Sequence, residues 1–181
     1  GIWAETGGLV RKITKFEDVN KEEFLKKKDF KNVIVEVINN GSTFQISIQE
    51  SETDFAQISV VLAGIKCRSA FHGNPEPFGQ EAKQFVESRL LQRRVNVTLV
   101  GESERGFVAI VQHPKGGDIA THLLKEGLAE IFNPTIALVP NAEEYRKLEL
   151  DAKKERKNLW VKFDLSALRT GRVDGKVVDL K

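Results

Sequence analysis

The stretch that most limits what this chain can become runs from residue 58 to residue 69 and reads Ile-Ser-Val-Val-Leu-Ala-Gly-Ile-Lys-Cys-Arg-Ser. It is apolar and β-branched, far short of the roughly 18 apolar residues that mark a membrane-spanning helix, and it breaks at Gly64 into a polar turn. It therefore reads as a buried strand, and a buried strand needs partners on both sides. Residues 32–38 supply one, with Val33, Val35 and Val37 set against Ile34, Glu36 and Ile38, and Asn39-Asn40-Gly41 follows as a hairpin turn built on positive-φ residues. Residues 43–49 alternate again, with Phe44, Ile46 and Ile48 on one face and Gln45, Ser47 and Gln49 on a wet one.

Beyond Pro75-Glu76-Pro77, residues 79–91 place Ala82, Phe85, Val86 and Leu90 on one helical face and leave Lys83, Glu87 and Arg89 outside. Residues 95–100 and 107–112 read as a fourth and a fifth strand. Asp118 is placed to cap a second helix carrying Ile119, Leu123 and Leu128. A third helix starts near Asn141 and ends in Lys153, Lys154, Arg156 and Lys157, where positive charge suits the helix dipole. This order predicts an α+β domain dominated by β structure, a five-stranded OB-fold barrel with three helices.

Composition narrows the setting. With 40% hydrophobic and 30% charged residues the chain fits a soluble globular domain, and nothing in it reads as a signal peptide. A single cysteine, Cys67, excludes an internal disulfide framework and points to the cytoplasm, with the nucleus as a second location. It lies between Lys66 and Arg68, which would activate an exposed thiol, but a small buried side chain is the better expectation. His72, His113 and His122 show no metal-ligand spacing and read as surface or loop histidines. A formal charge of +2 is too small to argue nucleic-acid binding, so that case rests on where cations cluster. The absence of methionine leads us to expect a piece of a longer protein.

The strand and helix order resembles the staphylococcal nuclease-like domain. The resemblance is carried by Asn40-Gly41-Ser42-Thr43, by residues 62–67, by Pro77-Phe78-Gly79-Gln80-Glu81-Ala82, by Arg105-Gly106, by Leu124-Lys125-Glu126-Gly127-Leu128-Ala129, and by the segment from Ala152 to Trp160. Residues 64–67 and 76–93 are similar to the second repeat of the Tudor-SN family, which strings four such domains ahead of a Tudor domain. Gly1-Ile2-Trp3-Ala4-Glu5 resembles the ending Asn158-Leu159-Trp160-Val161-Lys162, as if a preceding repeat closed there. The expected organisation is the end of that repeat and a lead-in over 1–31, the nuclease-like barrel over 32–162, and a tail or linker over 163–181.

Catalytic members of the family cleave phosphodiesters with calcium held by carboxylates, a glutamate that activates water, and two arginines that stabilise phosphoryl charge. The resemblance puts Ser42 at the first metal aspartate, Val61 at the first arginine, Lys66 at the second metal aspartate and Ser69 at the glutamate base. Arg105 alone is retained. A lysine repels a cation where a carboxylate would hold it, so the resemblance implies a lost calcium site, no cofactor, no metal ligands and no calcium-dependent cleavage by this domain. Glu76 and Glu81 are the nearest other carboxylates in sequence, Glu81 reading as helix surface.

What remains is binding. Candidate RNA contacts are Lys66, Arg68, Arg89, Arg93, Arg94, Arg105, Lys153, Lys154, Arg156 and Lys157. Aromatics are sparse near them, which favours phosphate tracking on double-stranded or structured RNA over stacked single-strand readout. The resemblance implies an RNA-binding scaffold repeat in RNA-silencing, transcription-coactivator and splicing complexes, with neighbouring nuclease-like repeats and a Tudor domain as partners, and no membrane partner. The alternatives are a residual ribonuclease contributing to the array and a repeat that binds only proteins.

Overall fold

The structure is a computed structural model that describes residues 12–166 and, by backbone, Arg172–Val173 and Lys176–Val177. In chain order the elements are β1 (Lys12–Lys15), α1 (Lys21–Lys27), β2 (Asp29–Asn40), β3 (Thr43–Gln49), β4 (Asp54–Leu62), β5 (Ile65–Lys66) and α2 (Gly79–Leu90). Then follow β6 (Arg94–Glu102), β7 (Gly106–His113), β8 (Gly117–Asp118), α3 (Ile119–Lys125), β9 (Glu130–Ile131), α4 (Asn133–Ile136) and α5 (Ala142–Lys154). Among the described residues no helix is long and apolar enough to cross a membrane.

The sheet order is β1-β4-β3-β2-β6-β7-β8, and a parallel pairing of β4 with β7 closes β2, β3, β4, β7 and β6 into a barrel. The expected five-stranded barrel is therefore present. The three expected helices are α2, α3 and α5, and two short ones, α1 and α4, join them. Closure depends on Gly106, because a Cβ there would stand 1.9 Å from the Ser59 carbonyl oxygen. Only glycine lets the two backbones approach this closely.

Side-chain alternation places the core as the sequence requires, with one shift. Phe44, Ile46 and Ile48 of β3 and Val33 and Val35 of β2 are buried. Val37, expected beside them, is instead 42% exposed, and Ile38 points inward. The ladder between β2 and β3 skips a residue between Val35 and Val37, and a bulge of this kind reverses every side chain after it.

The β2–β3 hairpin also differs in its chemistry. Neither the asparagines nor Gly41 has positive φ. The Asn40 side chain accepts the Ser42 N–H at 2.8 Å and closes the turn itself. Gly41 is required for space, since a Cβ there would lie 2.7 Å from Cys67 Sγ and 2.9 Å from Ala82 Cβ.

Helix α2 covers the barrel with Ala82, Val86 and Leu90, all fully buried. Asp118 caps α3 by accepting the Ala120 N–H at 2.9 Å, as its position predicts, and α3 packs on α5. The stretch 12–31 folds onto the same core. β1 pairs parallel with β4, Phe16 meets Phe107 edge-on at 5.2 Å, and Phe24 stacks on Phe107 at 6.1 Å. The resemblance of residues 1–5 to a repeat ending falls outside the described residues, as does most of the expected tail over 163–181.

Candidate functional site

Ser42, Val61 and the Lys66–Cys67 segment lie together near the β2–β3 turn. Ser42 is buried and central: its hydroxyl donates to Asn40 Oδ1 at 3.2 Å and accepts the Cys67 N–H at 3.2 Å, and its carbonyl accepts the Leu62 N–H at 2.9 Å. Here the hydroxyl ties the end of β5 to the hairpin. Val61 is half-buried, paired with Thr43 on one side and Val108 on the other. Gly106 faces Ser59, so the exposed Arg105 just before it lies about 10 Å further down β4 from Val61, at three residues of strand rise.

Lys66 is exposed and pairs through its backbone with Glu130. The next cation, Arg68, meets the Glu130 carboxylate at 3.7 Å. The Ser69 N–H donates to Glu76 Oε1 at 2.7 Å, and the Ser69 carbonyl accepts the Glu76 N–H at 3.0 Å. The loop is thus closed on itself by Glu76, while Glu81 is exposed on α2. Among the described residues no three His, Cys, Asp or Glu side chains gather as a metal-ligand group. Cys67 is buried, and burial pushes its thiol up to about 12, with a smaller push from Glu130 and a downward pull from the Ser42 hydrogen bond. A thiol so rarely ionised is inert at neutral pH, despite cationic neighbours in sequence.

The basic candidates separate into paired and unpaired groups. Lys153 is buried: its ammonium stands 3.1 Å from Glu149 and lies over the Trp160 ring at 4.7 Å and the Phe163 ring at 5.6 Å. Lys157 sits between Glu126 at 3.8 Å and Glu155 at 3.5 Å. Lys154 and Arg156 are exposed. Arg89 donates to the Phe85 carbonyl at 3.0 Å and covers the Phe85 ring at 3.6 Å. Arg93 and Arg94, adjacent in sequence, face different clefts, Arg93 the one beside His113 and Lys115, Arg94 the one beside Asn32 and Ser47.

The outward face of β2, β3 and β4 carries two neighbouring depressions that share Glu36 and Gln57. One, of about 200 Å³, is lined by Arg105, Lys15, Gln45 and Ser59; the other, of about 400 Å³, holds Arg94 and Gln49. Lys15 was missed from sequence because nothing in residues 9–31 marks β1 as part of the barrel face. Arg94, Arg105, Lys15 and Lys66 make no ion pair among the described residues, although Glu17, Glu36 and Glu52 line the same two depressions as Lys15, Arg105 and Arg94.

The chain is 36% identical over 182 residues to staphylococcal nuclease domain-containing protein 1 of Schizosaccharomyces pombe, an alignment covering 92% of this chain and 20% of that protein. It is 33% identical over 136 residues to the protein of the same name from Drosophila melanogaster, covering 70% of this chain and 14% of that one. Against probable endonuclease LCL3 of Coccidioides posadasii it is 31% identical over 114 residues, 57% of this chain and 37% of that protein. The chain spans a fifth or less of the length of the first two relatives. Residues 59–162, from the closing strand of the barrel through the last helix, match the staphylococcal nuclease homologue family, and the chain belongs to that family.

Proposed function

We propose that this domain is a Tudor-SN-type repeat that binds RNA on the outward face of its barrel and has lost the calcium-dependent cleavage of its fold. The observation that carries the reading is the pairing pattern of the cations: Arg94, Arg105, Lys15 and Lys66 make no ion pair among the described residues, whereas Arg68, Lys153 and Lys157 are engaged. Two features support the loss of cleavage. The hydroxyl of Ser42 is committed to Asn40 and Cys67, and Lys66 adds positive charge where a metal would need a carboxylate.

The face offers phosphate contacts rather than base stacking. Phe16, its aromatic at the Arg105 end, is held edge-on by Phe107 and covered by Lys21 at 4.6 Å. That favours structured or double-stranded RNA, read through its backbone. In a longer protein the repeat would act with neighbouring repeats and a Tudor domain as a scaffold for silencing, transcription or splicing assemblies, in the cytoplasm and the nucleus.

The test measures RNA binding and RNA cleavage side by side on this chain, with calcium and with chelator. Binding should weaken steeply with salt, and Arg94→Glu with Arg105→Glu should flatten the log–log salt slope by roughly 1.5 to 2 through the loss of two phosphate contacts. Cleavage that appears with calcium and stops with chelator would overturn the reading. One observation favours residual hydrolysis as a second reading: the Glu76 carboxylate stands at the Ser69 loop. Cleavage abolished by Glu76→Gln, with binding intact, would establish it.

A further inference from the structure

A third cleft lies away from this face, between the C-terminal end of α2 and the turn joining β7 to β8, with a volume of about 400 Å³. It flanks His113, at the far end of β7 from Arg105, and the eight residues of that strand separate the two by roughly 25 Å. Nothing in the family's catalytic positions reaches it. Its rim carries Arg89, Arg93 and Lys115, and the buried Leu90 and Ile119 lie beneath it. No carboxylate lines it, and neither Arg93 nor Lys115 makes an ion pair among the described residues.

Two histidines complete the cleft, and both rings are held in place. His113 Nδ1 accepts the backbone N–H groups of Lys115 and Gly116, each at 3.0 Å, which assigns its proton to Nε2 and leaves that N–H as a donor. His122 Nε2 lies 2.6 Å from the Gly116 carbonyl and donates to it. The negative end of the α2 dipole is partly covered, because the carbonyls of Glu87 and Leu90 accept the N–H groups of Leu91 and Arg93. Cationic and neutral donors thus converge on a small space that no carboxylate lines, with Asp118 held away from it by Tyr145 and the Ala120 N–H, an arrangement that suits one phosphate.

We propose that this cleft binds the phosphate of a ribonucleotide. An RNA strand is one source of that chemistry and a free nucleotide the other, and the RNA source rests on the function proposed above. As a second anchor some 25 Å from Arg105, the cleft would be reached together with the barrel face only by RNA longer than roughly 7 or 8 nucleotides, at about 3.4 Å per phosphate.

The test follows the His113 and His122 ring resonances of the whole chain by NMR as adenosine 5′-monophosphate is added. A parallel titration uses an RNA of roughly 20 nucleotides, longer than a single OB-fold site. Both sets of signals should move with the nucleotide in the wild type and stay still in Arg93→Ala/Lys115→Ala. These substitutions remove exposed side chains, and an unchanged thermal transition shows that the variant folds. Its RNA affinity should fall roughly tenfold at low salt. Histidine signals that ignore the nucleotide, or that move equally in the variant, overturn the proposal while leaving RNA binding on the barrel face standing. Signals that move with the nucleotide in a chain that binds no RNA keep the phosphate site, assign it to free nucleotides and sink the RNA reading.

Discussion

Tyr145 is fully buried, yet it carries a hydroxyl, and the only way such a group stays inside is with a partner. It donates to Asp118 Oδ2, while Asp118 Oδ1 caps α3, so one carboxylate joins the start of α3 to the first turn of α5. Burial lifts Asp118 above the ordinary 3.8, and the Tyr145 and Ala120 hydrogen bonds pull it part of the way back. A raised folded value means that the protonated form favours folding. The contribution of Asp118 to stability is therefore complete below 3.8 and lost as pH rises through the raised value. Tyr145→Phe removes a bond that favours the ionised form. It should cost about 1–3 kcal/mol near neutral pH and less in acid, checked by urea unfolding at both pH values. The cap was legible at Asp118 from its place before an apolar helical run. Its partner was not, because 27 residues separate the two and no local pattern marks a tyrosine that will meet a carboxylate.

Elements were legible wherever a period ran unbroken. The β3 alternation buries Phe44, Ile46 and Ile48 as read, though Ser47, expected on the wet face, is buried too, and the α2 stripe buries Ala82, Val86 and Leu90 while Phe85 stays half-buried. The bulge in β2 was hidden because a skipped residue depends on the neighbouring strand, and the sequence of β2 alternates straight through it. The basic end of α5 is a subtler case. Glu149 and Lys153 are one helical turn apart and could be paired from spacing alone, but the return of Trp160 and Phe163 over the ammonium is a tertiary event. Lys153→Ala should leave Glu149 without its countercharge in a largely buried place, held only by the Ile131 N–H at 2.6 Å, and cost about 3 kcal/mol in denaturant unfolding. Lys154→Ala, one residue on and exposed, should change stability by less than about 0.5 kcal/mol.

For the whole molecule, net charge says little and placement says much. A formal +2 conceals unpaired cations on two separate regions of the surface. Arg93 and Arg94 stand on either side of that division, since successive side chains of an extended chain point opposite ways. Arg93→Ala and Arg94→Ala should therefore act independently, their effects on the logarithm of RNA affinity adding within error in filter-binding titrations at fixed salt. A double variant that lost no more than either single one would mean a shared contact. The same architecture has a mechanical side. β1 runs parallel to β4 over four rungs, Lys12 to Lys15 against Asp54 to Gln57, with the Lys12 N–H also held by the Thr53 carbonyl at 2.8 Å. A pull on the chain upstream of Lys12, against a barrel held from its C-terminal side, loads those rungs together in shear instead of peeling them one by one. Tension along the polypeptide would then reach the barrel wall before it could lengthen the lead-in.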